Sequence, residues 1–458
     1  MLPFAEDPDD HDALRVLIAS HSHPRVQNGG SEVASYALFD QLRNQPDTRA
    51  WYCGCSRTAT FARAGQSITQ PFERDEYLYT IGDFEWFKFA NRDTAFARDF
   101  RALLRSLRPQ IVHFHHYINF GMEALAHVRE VLPEAKLILT LHEFLAICHQ
   151  QGQMVTRHQG RLCRRSGPVE CSRCFPEFEP ADFFIRETYI RHFLKHVHHF
   201  ISPSRFLAER YVAWGIPESR ISVIENVPAV ASARHPAPRE RPPGAGLRVG
   251  FFGQISVLKG IQVLIEAAAI LEQERRFDIV FEIHGDHTNQ PAAFQAEFLA
   301  QIEKAGSNVG FHGAYANAEI DELMAGIDVV LVPSIWWENS PVVIQEAYRN
   351  GCPVVCSNIG GMAEKVVPNE TGLHFNVGNP RSLAGVLKAL AEDPDRLARL
   401  AAGVARATMP WPSPEPSADF GAPSAVDPLG AHLRLYHQLR GAVQNLQSAP
   451  RFGIPTGA

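Results

Sequence analysis

A chain of 458 residues has room for two domains with separate cores. Its balance is that of an ordinary globular protein, 45% hydrophobic and 21% charged with a net charge of −6 when histidines are neutral. That slight acidic excess argues against nucleic acid as the main partner, because phosphate neutralisation needs a basic excess.

The opening stretch MLPFAEDPDDHDALRVLIAS is acidic and lacks the basic leader and apolar core of a secretory signal. No window approaches the roughly 18 apolar residues that cross a bilayer. The expectation is a cytoplasmic protein with reduced thiols, in which a cysteine cluster reads first as metal binding or packing.

The first apolar run, LRVLIAS, leads into NGGSEVASYAL, with Gly29 and Gly30 between a strand and a helix pattern. Two glycines at such a turn let a ligand approach the backbone, or serve the turn's own geometry. Cys53 and Cys55, spaced C-x-C, look like packing residues. IVHFHHYINFG then ends a strand with His113, His115 and His116, and LILTLHEF ends the next with His142. Strand alternation sends His113 and His115 to one face and His116 to the other. For His116 and His142, site and scaffold roles both stay open.

Cys148, Cys163, Cys171 and Cys174 fall within 27 residues, the last pair as C-x-x-C. This predicts a structural zinc closing a long irregular loop, with unligated or paired thiols as the alternative. RETYIRHFLKHVHHF, Arg186 to Phe200, is basic with an apolar stripe, which suits an anionic membrane surface or an ordinary solvated helix face.

HHFISPS and ISVIEN follow, and then PAVASARHPAPRERPPGAG, Pro228 to Gly246, breaks the pattern before a fresh first strand, LRVGFFG. The predicted domains are 1–235, with the Cys-rich insertion near 148–174, and 246–410, followed by a Pro-rich segment and last helix over 411–458. Unalternated apolar strands separated by helices indicate parallel sheets covered on both faces, the doubly wound α/β class. Two such domains in series set two strand-end crevices face to face, so the cleft between them is the expected site.

In the second half, FFGQISVLKG places Gln254 and Lys259 in a strand-to-helix loop, where a cation would face phosphates. SIWWENSPVVIQEAYRNG reads as a loop and helix, with Ser340 as N-cap, Pro341 at the first helical position and Gly351 past the end. The backbone from Asn339 to Val343 then makes a cradle in which the free amides of Val342 and Val343, aided by the helix dipole, suit a diphosphate. Glu338 and Glu346 stand on either side, placed to accept hydrogen bonds from two sets of sugar hydroxyls. Their bland reading is a solvated loop residue and a helix-face charge.

Glu338, seven residues and Glu346, followed by NGCPVVCSNIGGMAEKV, resembles the signature of the retaining GT-B glycosyltransferases of family 4. NGGSEVASYAL and ISPSRFLAERYVAWGIPESRISVIENV agree in order and spacing, so the resemblance covers most of the chain. It implies a GT-B fold of two Rossmann-like domains and transfer of a hexosyl unit, with retention and without a catalytic metal or other cofactor. The donor would be a UDP- or GDP-linked sugar and the acceptor a sugar or lipid-linked saccharide, in polysaccharide or glycolipid assembly at the inner membrane face. It further implies that Glu338 and His115 meet the donor sugar, Glu346 the ribose and Lys259 the diphosphate, while the Gly29–Gly30 loop approaches phosphate and acceptor. The family pattern pairs an Arg with this Lys; Gln254 stands in its place. Rival readings are a sugar-nucleotide epimerase of the same fold, a glycoside hydrolase using the two carboxylates, and a non-catalytic sugar-nucleotide-binding protein.

Overall fold

The computed structural model describes residues 13–27, 29–229, 246–408 and 427–447. Asn28, most of the Pro228–Gly246 linker and most of the Pro-rich stretch before the last helix lie outside the described residues.

Each half builds one large sheet. The first has eight strands, in the order Ile221–Val223, His199–Ser202, Lys136–Thr140, Ile111–Phe114, Leu14–Ala19, Thr48–Ser56, Glu76–Thr80 and Ile68–Thr69. Only its last pairing is antiparallel. The second has six parallel strands, ordered Val309–Gly313, Ile279–His284, Leu247–Phe252, Val329–Val332, Val354–Ser357 and Gly372–Phe375. Consecutive residues such as Val16 to Ala19 and Val329 to Leu331 are all buried, because helices cover both faces of these strands. Thr48–Ser56 and Glu76–Thr80 fall outside the strands read from the sequence, since Gly54 and two cysteines interrupt the first run and the second carries charge.

Strand order reverses between Leu14–Ala19 and Ile111–Phe114 in the first sheet, and between Leu247–Phe252 and Val329–Val332 in the second. Crevices open outside the carboxyl ends of strands at such reversals. The first is bordered by residues 20–27, Gly29, Gly30 and His115, the second by the loops carrying Lys259 and Glu338. The helix Pro428–Gln447 returns to the first domain, where Leu435 and Tyr436 are buried with Leu14, Val16 and Ile18.

The domains meet through polar contacts beside the cleft. Glu364 caps the helix Arg205–Trp214, accepting from the Arg205 and Phe206 amides at 2.8 Å each, where the helix dipole favours a carboxylate. Lys365 pairs with Glu225 and donates to Pro203 O at 3.1 Å, while Gln345 Nε2 donates to Asn226 O at 3.1 Å.

The Cys-rich segment corrects an expectation. It holds a short helix, Pro168–Cys174, and a bridge between Val155 and Leu162 instead of an irregular loop. Cys148, Cys163, Cys171 and Cys174 are all free, and among the described residues no group of three or more His, Cys, Asp or Glu is placed to hold a metal. The thiols are committed elsewhere: Cys148 and Cys163 pack on the first-domain core, Cys163 Sγ donates to Arg165 O at 3.2 Å, and Cys174 Sγ accepts from the Arg157 amide at 3.2 Å.

Arg186, read as part of a basic outer face, is 3% exposed. Its guanidinium donates to Phe87 O at 2.7 Å, Ala146 O at 3.0 Å and Leu145 O at 2.6 Å, tying the start of the segment to the domain. Cys53, Cys55, Cys352 and Cys356 are buried, and burial pushes the Cys53 thiol up to about 12. Among the described residues no helix is long and apolar enough to cross a membrane.

Candidate functional site

The strand Val329–Val332 runs out at Pro333, and the loop Ser334–Pro341 carries the chain to the helix Val342–Arg349. Pro341, with φ −61° and ψ 118°, is the N-cap, so the helix starts one residue later than expected. Ser340 does not cap it, because its hydroxyl crosses the interface to donate to Glu225 Oε1 at 2.7 Å. Val342 and Val343 are the first helical residues, and their amides have no acceptor within the helix. Gly30 faces them from the first domain: a Cβ built on it would stand 3.6 Å from Val342 Cγ2.

Three donors converge on buried Glu338. Its Oε1 accepts from Lys259 Nζ at 2.6 Å, Ser334 Oγ at 2.9 Å and Trp336 Nε1 at 2.9 Å. The cation and carboxylate assigned separately from the sequence are therefore one ion pair. Glu346 is half-buried on the next turn, and no hydrogen bond from the described residues reaches its side chain. Burial pushes its carboxyl above the usual range, nearby Asp321 adds to this, and Arg349 partly opposes it. Asn339 Nδ2 donates across the cleft to His142 O at 2.9 Å, leaving its Oδ1 buried without a partner. Gln254 is exposed, and Gly29 is the extended N-cap of the helix Gly30–Arg43.

Sequence reasoning missed what holds this loop in place. Trp337 is 9% exposed and belongs to the core of the other domain. Its indole donates to Cys163 O at 3.1 Å, and its ring lies 5.2 Å from that of Phe206 with the Arg210 guanidinium also 5.2 Å away. Beneath the loop, a Cβ on Gly361 would fall 1.7 Å from Asn339 O, and the Gly361 amide donates to Glu338 O at 2.7 Å. The doubled glycine in NIGGMAE was the available signal, since only glycine permits that approach.

On the first-domain side, His115 is buried just past the strand Ile111–Phe114. Its Nδ1 lies 3.0 Å from His142 Nε2, and its Nε2 is buried without a partner. The His113 ring lies 4.4 Å away on the same face, tilted by 38°, and is bonded to Tyr436 OH at 2.6 Å and Thr140 Oγ1 at 2.7 Å. Burial holds His113 and His115 well below the ordinary histidine range and brings His142 to about 4, so all three are neutral near pH 7.

His116 points the other way, with Nε2 3.1 Å from Glu143 Oε1. The Ile118 amide donates to His116 Nδ1, so a neutral ring keeps its proton on Nε2, facing Glu143. His21 Nε2 lies 3.1 Å from Glu32 Oε1 beside it. Burial pushes the Glu32 carboxyl up, but His21, the backbone and Ser31 outweigh this and hold it down at about 2. His21, Glu32 and Glu143 were not singled out from the sequence, although Glu32 and Glu143 adjoin the glycine loop and the LH motif.

The structure thus gathers Gly30, His142, Lys259, Glu338, Asn339, Ser340, Val342 and Val343 at the cleft, with Glu346 beside them, and leaves the four cysteines outside it.

Among solved structures, HepE of Anabaena in complex with UDP is similar over 95% of this chain and 99% of that one, with TM-score 0.60 and 18% identity, a likeness of fold. A D-inositol 3-phosphate glycosyltransferase of Xylanimonas cellulosilytica is 34% identical over 188 residues, 40% of this chain and 43% of the relative. A 2-deoxystreptamine glucosyltransferase of Streptomyces kanamyceticus is 32% identical over 165 residues, 35% of this chain and 41% of the relative. These alignments therefore span less than half of each relative. The model of Glycosyltransferase Family 4 matches residues 28–227 and that of Glycosyl transferases group 1 matches residues 238–405, one for each sheet. With both halves matched in order on two facing Rossmann-like domains, the chain belongs to the family 4, group 1 glycosyltransferases of the GT-B fold.

Proposed function

We propose that the protein moves a hexosyl unit from a UDP- or GDP-linked sugar to a hydroxyl of a sugar or lipid-linked saccharide, with retention at the anomeric carbon, in polysaccharide or glycolipid assembly at the cytoplasmic membrane face. The observation that carries this reading is the Lys259–Glu338 pair, 2.6 Å apart beside the open amides of Val342 and Val343. A helix start with a cation in the same cleft suits a diphosphate.

The diphosphate docks on those two amides, and Lys259 turns from Glu338 to the leaving phosphate. Glu338 is then freed to accept hydrogen bonds from the donor sugar, while Glu346 accepts from the ribose. The acceptor oxygen bonds to the anomeric carbon on the face from which the phosphate departs, and the departing phosphate oxygen takes the acceptor proton. Positioning and stabilisation of the phosphate charge supply the rate enhancement.

Relatives named for D-inositol 3-phosphate and for 2-deoxystreptamine support transfer to a ring hydroxyl, and the UDP complex of HepE supports a nucleotide donor. A thermal-shift panel of UDP-, GDP- and ADP-sugars tests the reading, since a ligand of the folded state raises Tm. One donor class should raise Tm, and its product should keep the anomeric configuration by NMR. No shift with any donor, or an isomerised nucleotide sugar formed without acceptor, would contradict it.

A further inference from the structure

The transferase reading leaves the chemistry of the acceptor open, and the inference below rests on that reading. At the carboxyl ends of the first-domain strands, the Glu32–His21 and Glu143–His116 pairs lie side by side, with the His21 and His116 rings 4.6 Å apart. His21 and Glu143 keep 20% and 22% side-chain exposure, so the cluster opens outward at those two groups.

Beside it, His21 Nδ1 and the Tyr117 hydroxyl are buried and have no partner, and on the neighbouring face of the same strand end so is His115 Nε2. Buried polar groups are ordinarily satisfied, so several orphans at one strand-end edge mark a place where a ligand's hydroxyls or water would complete the bonding. The topology assembles them from four segments at one reversal of strand order. His21 follows Leu14–Ala19, His115 to Tyr117 follow Ile111–Phe114, Glu143 follows Lys136–Thr140, and Glu32 lies in the first turn of Gly30–Arg43.

The fixed charges here are negative. Among the described residues neither Glu32 nor Glu143 forms an ion pair with a lysine or arginine. Among the described residues, Arg186 donates to three carbonyls, Lys259 is held by Glu338, and exposed Arg57 lies 3.3 Å from Asn119 Oδ1 with its guanidinium over Trp86. A phosphate monoester placed here would face two carboxylates with imidazoles and no lysine or arginine paired to them, whereas ring hydroxyls and ammonium groups are donors that carboxylates accept.

We infer that the acceptor ring seated against Glu32 and Glu143 is a neutral or amine-bearing polyol, and that a phosphorylated ring is rejected there.

The full chain, saturated with whichever nucleotide raises its Tm, is titrated with myo-inositol, 2-deoxystreptamine and D-inositol 3-phosphate. The two unphosphorylated rings should raise Tm further, with the phosphate bound at least tenfold more weakly. Glu143→Gln, at a partly exposed position, should weaken both unphosphorylated rings about fivefold or more while the nucleotide-induced shift persists; Glu143→Lys should improve binding of the phosphate. Equal or tighter binding of the phosphate, binding of none of the three, or indifference to Glu143→Gln overturns the inference. The same titrations without nucleotide keep the two readings apart: failure of every nucleotide counts against the transferase reading, while the ranking of the rings still decides the acceptor class.

Discussion

The two walls of the cleft differ in how their polar groups are satisfied. On the second-domain wall, Glu338 Oε1 takes three donors, and the loop that carries it is pinned from below by Gly361 and by its own Trp337 seated in the other domain, with Asn339 Oδ1 left without a partner. On the first-domain wall, His21, His115 and Tyr117 each present a buried polar atom with no partner. The wall assigned to the donor is pre-organised, which lowers the cost of binding and of stabilising charge. The other wall is unfinished until something supplies hydrogen bonds.

The strongest way to break this contrast is Glu338→Ala. It strips Lys259 of its partner and the donor sugar of its acceptor, and should lower kcat/KM by on the order of 10²–10³-fold, as loss of one transition-state contact does; product formation with saturating acceptor measures it. Trp337→Ala follows, with a predicted loss of about 3 kcal/mol in denaturant unfolding, because it empties a site inside the other domain's core.

A matched pair sharpens the comparison further. Trp337→Phe removes a bonded indole N–H and should cost about 1 kcal/mol, whereas Tyr117→Phe removes an orphan hydroxyl and should leave unliganded stability unchanged or slightly higher. Equal losses in the two variants would erase the distinction between the walls.

The pH dependence is smaller. Glu346 is raised by burial and by Asp321, so in the free protein it gains a proton at higher pH than an ordinary glutamate. The proton is bound more tightly in the folded state, so this group favours folding as pH falls. Ribose hydroxyls need the carboxylate as acceptor, so nucleotide affinity should decline as pH falls through that raised value, and Glu346→Gln should flatten the profile in calorimetric titrations. The smallest effect is Gln254→Arg, which adds a cation at an exposed loop position and should tighten donor binding a few-fold at low salt, less at high salt.

What was legible in the sequence was what local spacing encodes. Seven residues between Glu338 and Glu346 fix a loop and a helix, and unbroken apolar runs such as VVLV fix buried parallel strands. Ser340 was misread as a cap because the same hydroxyl that suits an N-cap also suits Glu225, a residue 115 positions away. Trp337 in the other domain's core, Gly361 under Asn339 and the Glu143–His116 pair all depend on long-range packing, which periodicity does not carry. The four cysteines show the opposite failure: ligand-like spacing without ligand-like geometry, because the segment is organised by Arg186 and by apolar contacts.

A structure of the full chain with a nucleotide sugar tests the central claim most directly. The account predicts diphosphate oxygens within about 3 Å of the Val342 and Val343 amides, with Lys259 Nζ moved from Glu338 onto phosphate and both glutamates on sugar hydroxyls. A nucleotide bound elsewhere, or a Lys259–Glu338 pair unchanged with the donor in place, would contradict it.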